Sequence, residues 1–273
     1  MLRPKQWIKN LLIFLPAIAA HQLNTPILIP TVIVWCLMAS SVYIINDLFD
    51  KKNDQRHPIK KNRPIASGKI SGQTAITVAL FLLVLTFSLA FYTSTNLVVI
   101  CLVYLGLNIA YTTVLKKIPI IDIVILSSFY MLRIFTGGWV ANIPITSWLL
   151  LFSFFLFLSL SILKRYLELA IIEETGRGYA PTDRLFLQNA GLLNGGCAVL
   201  IFGLYLNHPS IISLYKHPEF LWPIVPVLML WTLKIWHGAT SETTNDDPIG
   251  IVLKHPITWG SIAIIVALFV SAL

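Results

Sequence analysis

The sequence predicts an all-α, polytopic transmembrane bundle of about nine helices, and three observations support this fold class. Residues of the AVILMFWYC set make up 56% of the chain, and the mean hydropathy is +0.78. Charged residues make up only 12%, against about 25% in soluble domains. The apolar residues also form continuous runs, unlike the alternating pattern of a transmembrane β-barrel.

A helix needs about 17 to 25 mostly apolar residues to cross the hydrocarbon core of a bilayer. The sequence contains nine candidate runs, at residues 8–20, 27–45, 74–92, 97–111, 121–141, 148–163, 187–206, 221–236 and 257–273. The first run is short and contains Pro16, so we expect it to tilt or to enter the membrane only in part. It lacks a small-residue cleavage site, so we expect it to be retained. No hydrophilic insertion is long enough to fold separately, and residues 1–273 are therefore expected to form a single transmembrane domain.

The charged residues indicate the orientation. With the amino terminus in the cytoplasm, every Lys and Arg except Lys216 and Arg133 lies in or beside an inner loop, as the positive-inside rule requires. Every acid except Glu219 lies on or next to the same face, although acids contribute little to that rule. We therefore expect a plasma-membrane protein, embedded in membrane lipids, with a polar site that faces the cytoplasm.

Two other functional classes are disfavoured. The basic residues lie next to the spans, where they meet lipid headgroups or phosphorylated substrates, so no nucleic acid partner is expected. The cysteines, Cys36, Cys101 and Cys197, show neither metal-ligand spacing nor a disulfide pattern.

An acidic motif, N-D-L-F-D-K-K-N-D, begins at Asn46 at the end of the second run. If the helix continues through it, Asp47, Asp50 and Asp54 project from one face. Carboxylates placed in this way repel each other unless a cation joins them, and Mg²⁺ commonly bridges protein carboxylates to substrate phosphates. The motif therefore predicts a catalytic metal site. The alternative is a solvated helix end whose acids are balanced by neighbouring lysines.

A basic loop follows the acidic motif directly. Its candidate phosphate ligands are Arg56, His57, Lys60 and Arg63. The side-chain amide of Asn46, in the acidic motif, is a further candidate. Arginine offers a fork of donors that matches phosphate oxygens, and lysine offers a mobile charge. Contact with lipid headgroups is the alternative for the lysines.

The pattern N-D-x-x-D-x-x-x-D after the second span, followed by R-P-I-A-S-G, resembles the UbiA-type superfamily of intramembrane prenyltransferases. The resemblance covers essentially the whole chain and implies a UbiA-like bundle. Tyr111 and Lys116 look like the tyrosine and lysine that this superfamily carries in the next inner loop, which implies contact with the leaving diphosphate. Tyr111 could equally be an interfacial aromatic residue.

One expected feature of the superfamily is missing. Prenyltransferases with a prenyl diphosphate donor generally carry a second acidic cluster after the sixth span, where this chain has Lys164-Arg165-Tyr166-Leu167-Glu168. With R-P-K-Q-W-I-K-N near the amino terminus, this substitution resembles the polyprenyl-phosphate (decaprenyl-phosphate) phosphoribosyltransferase branch. The resemblance implies Mg²⁺-dependent transfer of 5-phosphoribosyl from phosphoribosyl diphosphate to a polyprenyl phosphate in cell envelope biosynthesis.

In this interpretation several cations hold the acceptor phosphate or the ribose 5-phosphate. Which cation holds which phosphate stays open. The candidate cations are Lys5, Lys9, Lys164 and Arg165, and Glu168 is a further candidate substrate-binding residue. Lys5 and Lys9 are spaced to share a face of an α-helix, and they could instead be positive-inside anchors.

Two further charged residues belong to the fifth run. Asp122 could orient a ribose hydroxyl or pair with Lys116 or Lys117. Arg133 lies deeper, where a bare guanidinium is costly. We therefore expect Arg133 to face a polar cavity or an acid and to line the site.

Two rival functions remain. Transfer from a prenyl diphosphate to an aromatic or glycerol-phosphate acceptor is disfavoured by the missing second acidic cluster. A lipid or solute transporter commonly has its site near the midplane, whereas here nearly every ionisable residue lies at one surface.

Overall fold

The computed structural model describes residues 1–56, 59–170, 177–241 and 256–273, and the regular structure within these ranges is helical. Seven of the described helices are long and apolar enough to cross a membrane, which confirms the predicted helical membrane bundle. They are α1 (Leu28–Phe49), α2 (Gly72–Thr93), α3 (Thr95–Thr113), α4 (Ile121–Ala141), α5 (Ser147–Leu169), α6 (Arg184–Tyr205) and α7 (Ile224–Ser241). A shorter apolar helix, α8 (Pro256–Ala272), follows.

The predicted number of nine spans is not confirmed. The ninth run corresponds to α8, which has 17 residues. The first run forms a 3₁₀-helix, Pro4–Phe14, followed by a short α-helix, Leu15–Ala19. We call these two helices the amino-terminal segment. Proline stands at the beginning of both helices, where its missing N–H and fixed φ are tolerated.

Polar caps begin three of the long helices. Ser71 accepts a hydrogen bond from the Thr74 amide at 3.1 Å at the start of α2, and Thr146 does the same for Leu149 at 3.2 Å in α5. Ser94 is extended (φ −170°), so it ends α2 and caps α3. These side chains satisfy amides that have no partner within their helix.

The chain forms two compact units: Met1–Leu115 with Phe129–Ile145, and Lys116–Ser128 with Thr146–Leu273. In the first unit α1 packs against α2, around a core that includes Ile44 and Ala79. The amino-terminal segment approaches α4 so closely that a Cβ on Gly137 would lie 1.9 Å from the Ile13 carbonyl oxygen. Only glycine permits this packing.

In the second unit α5 packs along α6. The Ser159 hydroxyl donates to the Gly191 carbonyl at 2.7 Å and accepts from Trp236 Nε1 at 3.1 Å. A buried hydroxyl thus joins three helices with both hydrogen-bonding roles satisfied.

Candidate active site

The acidic motif lies where α1 ends. Asp50 terminates the helix, with its amide 2.9 Å from the Asn46 carbonyl oxygen, and the short helix Lys51–Arg56 follows. The condition of an uninterrupted helix through the motif is therefore not met, because the helix is broken at Asp50. The Asp54 amide still bonds the Asp50 carbonyl at 2.8 Å, so the backbone stays close to helical.

Two carboxylates of the motif converge on one arginine. Arg63 Nη1 donates to Asp47 Oδ1 at 3.2 Å and to Asp54 Oδ2 at 2.6 Å. Arg3 Nη2 donates to the same Asp47 oxygen at 2.5 Å, and its guanidinium lies 5.1 Å from the Tyr43 ring centroid. Both aspartates are only 5% exposed. We call Asp47, Asp50, Asp54, Arg3 and Arg63 the acidic cluster.

The three aspartates interact electrostatically. Burial raises the pKa of the Asp54 carboxyl, and the Arg63 guanidinium opposes that rise. The negative charges of Asp47 and Asp50 add to the increase in the pKa. The repulsion that the spacing predicted is therefore present, and arginines supply the opposing charge.

Among the described residues, no three His, Cys, Asp or Glu side chains come close enough together to hold a metal ion. Asp47 and Asp54 nevertheless direct carboxylate oxygens at a single cationic nitrogen of Arg63. Mg²⁺ is usually bound by one or two protein carboxylates, several waters and substrate phosphates. The donors present thus fit Mg²⁺ in chemistry and number.

Arg3 was not among the site residues that the sequence predicted. It lies 44 positions from Asp47 in the chain and has a left-handed backbone (φ 53°). The R-P-K-Q-W-I-K-N motif contains Arg3, but only its two lysines were predicted as site residues.

The prediction that Lys5 and Lys9 share a helix face is wrong. They belong to a 3₁₀-helix, which has about three residues per turn, so positions i and i+4 point in different directions. Lys5 is exposed, and Lys9 Nζ lies 5.7 Å from the centroid of the Tyr130 ring.

The other predicted residues of the first unit have varied surroundings. Asn46 Oδ1 accepts a hydrogen bond from Thr112. Tyr111 is buried, with its ring edge-to-face on Phe129 at 5.8 Å between centroids. Arg56 is exposed and Lys60 is half-buried, whereas His57 lies outside the described residues.

Arg133 is buried, and the partners that the described residues give it are neutral polar groups and aromatic rings rather than the acid that we considered. Its Nε donates to Asn10 Oδ1 at 2.9 Å, and Nη1 donates to the Phe129 carbonyl. Its guanidinium also lies 4.9 Å from the Trp35 ring centroid and 5.5 Å from that of Tyr104. Oriented carbonyl dipoles and ring faces stabilise this cation in place of a carboxylate. A substrate-binding role for Arg133 stays a prediction.

The second unit contains a separate group, Asp122, Arg165, Glu168, Arg177 and Tyr179, which we call the Asp122 cluster. Arg165 is 1% exposed and binds both Asp122 and Glu168. Arg177 Nε lies 3.4 Å from Glu168 Oε2. The Tyr179 hydroxyl donates to Asp122 Oδ1 at 2.6 Å and accepts from the Ile120 amide at 2.7 Å.

This cluster differs from what the sequence suggested. Asp122 is bound by Arg165 and Tyr179, whereas the partners considered were Lys116, Lys117 and a ribose hydroxyl. Arg165, a predicted phosphate ligand, contacts two carboxylates. Burial and the bond to Asp122 raise the pKa of the Tyr179 hydroxyl, which therefore stays protonated and able to donate.

Sequence reasoning missed Tyr179 and Arg177 because no local spacing links them to Asp122. The predicted lysines of this unit, Lys116 and Lys164, are half-buried. Lys116 belongs to a 3₁₀ turn, Leu115–Lys117, and Lys164 precedes Arg165 in α5.

The structure is thus a helical membrane bundle in which carboxylates and arginines meet at the end of a span. The chain belongs to the UbiA prenyltransferase family, whose model matches residues 11–255. This membership identifies it as an integral membrane protein and an enzyme of the transferase class.

Several curated relatives are more than 30% identical. The decaprenyl-phosphate phosphoribosyltransferase of Corynebacterium glutamicum is 36% identical over 260 residues, which cover 90% of this chain and 76% of that protein. The uncharacterized protein y4nM of Sinorhizobium fredii is 31% identical over 285 residues, which cover all of this chain and 55% of that protein. The chain thus spans about half the length of y4nM. The nodulation protein NoeC of Azorhizobium caulinodans is 33% identical over 219 residues, which cover 77% of this chain and 71% of that protein.

Solved structures share the fold. A UbiA homolog from Archaeoglobus fulgidus, bound to GPP and Mg²⁺, has a TM-score of 0.73 and 18% identity over 99% of this chain and 97% of its own. A structure of a UbiA homolog from Archaeoglobus fulgidus bound to DMAPP and Mg²⁺ has a TM-score of 0.74 and 17% identity. It covers 100% of this chain and 98% of that chain.

Proposed function

We propose that this protein transfers a 5-phosphoribosyl group from phosphoribosyl diphosphate to a polyprenyl phosphate and releases diphosphate, with Mg²⁺ as the required ion. The observation that carries the proposal is the convergence of Asp47 and Asp54 on Arg63, with Arg3 also bound to Asp47. Paired carboxylates beside fixed arginines suit a metal-bound diphosphate, because the metal and the guanidinium groups would both supply positive charge to one polyanion.

The end of α5 supports phosphoribosyl rather than prenyl transfer. The resemblance implies a second acidic cluster here for users of a prenyl diphosphate donor, whereas this chain has Lys164 and Arg165, and the acid Glu168 is bound by arginines. Lys164 precedes Arg165 in the same helix, and its charge makes it a candidate for a phosphate group. Relatives named decaprenyl-phosphate phosphoribosyltransferase, at 34% and 36% identity, support the same assignment.

In the proposed reaction an oxygen of the lipid phosphate forms a bond to ribose C1. The bond from C1 to the diphosphate oxygen breaks, and the diphosphate leaves with the electron pair. Bound Mg²⁺ would supply charge neutralisation at the diphosphate. The lipid phosphate is already anionic at neutral pH, so no strong general base is required, and the protein mainly positions the two substrates.

The residues of the chain divide this work. Asp47, Asp50 and Asp54 would hold the metal, while Arg63 and Arg3 orient the carboxylates of Asp47 and Asp54 and would bind the diphosphate. The other proposed ligands, for the diphosphate, the ribose 5-phosphate or the lipid phosphate, are Lys5, Lys9, Asn46, Arg56, His57, Lys60, Tyr111, Lys116, Asp122, Arg133 and Lys164. We further propose that residues 1–273 act as a single domain in the inner membrane, with the site on the cytoplasmic face.

The test uses purified protein in lipid nanodiscs with Mg²⁺. One reaction contains labelled phosphoribosyl diphosphate and polyprenyl phosphate, and the other contains prenyl diphosphate and an aromatic acid. We expect a labelled lipid only in the first reaction, and we expect EDTA to abolish it. Product only in the second reaction would assign the chain to prenyl transfer.

A transporter is tested in parallel. Liposomes that contain the protein are assayed for uptake of labelled phosphoribosyl diphosphate without any lipid acceptor. Accumulation of intact label inside the vesicles, with no transfer product when acceptor is added, would overturn the enzymatic proposal.

A further inference from the structure

The inner turn before α4 is held in a strained conformation. Ile120 has φ 69°, in the left-handed region that a β-branched residue adopts only at a cost in free energy. Strain of this kind persists when surrounding contacts hold the backbone, and it often lies near functional groups. The turn connects Lys116, a proposed diphosphate ligand, to Asp122.

One hydroxyl group holds this turn. The Ile120 amide donates to the Tyr179 hydroxyl at 2.7 Å, and that hydroxyl donates its own proton to Asp122 Oδ1 at 2.6 Å. Tyr179 thus bonds the last residue of the turn and the first turn of α4 at once. Its side chain is 6% exposed, and Asp122 is fully buried, so water does not readily replace either bond.

The segment that carries Tyr179 packs directly on the same turn. Gly178 has φ 77°, and a Cβ there would lie 2.7 Å from the Lys117 carbonyl oxygen and 2.9 Å from Pro119 Cδ. Glycine at this position therefore permits both the backbone conformation and the close approach. The contact fixes Tyr179 against the residues that follow Lys116.

The Asp122 cluster stabilises the carboxylate that accepts the hydrogen bond of the Tyr179 hydroxyl. Asp122 and Glu168 supply two negative charges, and Arg165 and Arg177 supply two positive charges. The buried carboxylate that Tyr179 needs as an acceptor is thereby paired, which removes the penalty of an isolated buried charge. We call this network, together with the bonds of the Tyr179 hydroxyl, the brace. In it, Arg165 pairs with Asp122.

We propose that Tyr179 is a positioning residue that fixes the 116–120 turn, and with it the Lys116 ammonium, for binding of the diphosphate donor. The assignment of the donor rests on the proposed function. The brace itself rests only on the hydrogen bonds, the packing and the strained backbone. Releasing the turn would let Lys116 sample positions away from the substrate, so donor binding would weaken more than turnover.

The first measurement is hydrogen exchange of the peptide that contains Ile120, in the substrate-free full chain in nanodiscs. Tyr179→Phe removes the acceptor of the Ile120 amide without removing the ring. We expect this amide to exchange about tenfold faster or more, as for the loss of one buried hydrogen bond. The control is Tyr215→Phe, which removes another buried phenol hydroxyl of the same unit. Unchanged exchange in Tyr179→Phe, or an equal rise in both variants, would overturn the brace.

The second measurement is steady-state kinetics with phosphoribosyl diphosphate. For Tyr179→Phe we expect the donor KM to rise about tenfold, with kcat and the acceptor KM changed less than about threefold. Faster exchange with an unchanged donor KM would reduce Tyr179 to a structural role and overturn the positioning proposal. If the wild-type protein transfers no phosphoribosyl group, the proposed function fails, while the exchange experiment still decides the brace.

Discussion

Asp47 is the most constrained residue of the acidic cluster, because two arginines donate to the same carboxylate oxygen. Asp47→Asn keeps the shape but removes the charge that would hold the metal. We expect kcat for phosphoribosyl transfer to fall about a hundredfold or more, as when one electrostatic contact to a transition state is lost. The measurement is turnover at saturating substrate and Mg²⁺.

Asp183→Asn is the matched control for this substitution. Asp183 is also an acid of an inner loop, but its carboxylate bonds only the Ala180 amide among the contacts described for it. We expect turnover within about twofold of wild type, in line with a surface substitution. Comparable losses in both variants would contradict a specific role for Asp47.

Ile120 gives a second prediction at this scale. Glycine adopts φ 69° without strain, so Ile120→Gly should reduce the need for the Tyr179 hydroxyl. In the Tyr179→Phe background we expect Ile120→Gly to recover at least part of the loss in donor affinity. The double-mutant cycle in the donor KM measures this coupling, and simple additivity of the two changes would contradict it.

Some of these residues could be predicted from the sequence. The 3-and-4 spacing of Asp47, Asp50 and Asp54 indicated mutual repulsion, and Asp47 and Asp50 add to the rise in the Asp54 pKa that burial mainly causes. The Arg165 and Tyr179 contacts could not be found in this way, because the two residues lie 43 and 57 positions from Asp122. Only the folded chain brings such groups together.

At the scale of elements, hydropathy predicted the long helices well and the amino-terminal segment poorly. Helices α1 to α7 follow from continuous apolar runs, because a backbone in hydrocarbon must satisfy its own hydrogen bonds. The segment Pro4–Phe14 forms a 3₁₀-helix instead. Its conformation depends on tertiary contacts such as the bond from Arg133 to Asn10, which no sequence window contains.

The packing of the amino-terminal segment on α4 leads to a prediction for Gly137. A methyl group there would lie 1.9 Å from the Ile13 carbonyl oxygen, so Gly137→Ala must displace the segment or α4. We expect a loss of stability of about 1 to 3 kcal/mol, typical of overpacking, together with a lower affinity for substrates held by Lys5 or Lys9. Thermal unfolding in detergent and the substrate KM values measure the two effects.

Gly106→Ala provides the control, because a Cβ at Gly106 in α3 meets no atom within 4 Å. Alanine favours a helix over glycine by about 1 kcal/mol, so this variant should be neutral or slightly more stable. Equal destabilisation by both substitutions would show that the approach of Gly137 to Ile13 has no special importance.

At the scale of the whole molecule, composition determines where the chemistry can lie. Large apolar side chains are exposed along the helices, for example Phe91 at 75% and Leu193 at 67%, because their solvent is lipid. Charged groups are costly in that solvent, so they collect at the ends of helices. The acidic cluster at the end of α1 and the Asp122 cluster at the start of α4 and the end of α5 both follow this rule.

The same distribution of charge predicts the orientation of the chain. Lys61 lies in the basic loop after α1, and Lys216 lies in the connection before α7, on the opposite side by the positive-inside rule. In a background with Cys36, Cys101 and Cys197 replaced by serine, we would introduce Lys61→Cys and Lys216→Cys separately. A membrane-impermeant maleimide should label the Lys216→Cys variant in intact cells and the Lys61→Cys variant only after permeabilisation.

Lys69→Cys, in the same loop as Lys61, should behave like Lys61→Cys. Labelling of the loop variants in intact cells would contradict a cytoplasmic site, because the acidic cluster adjoins that loop and would then face away from the cytoplasmic supply of phosphoribosyl diphosphate.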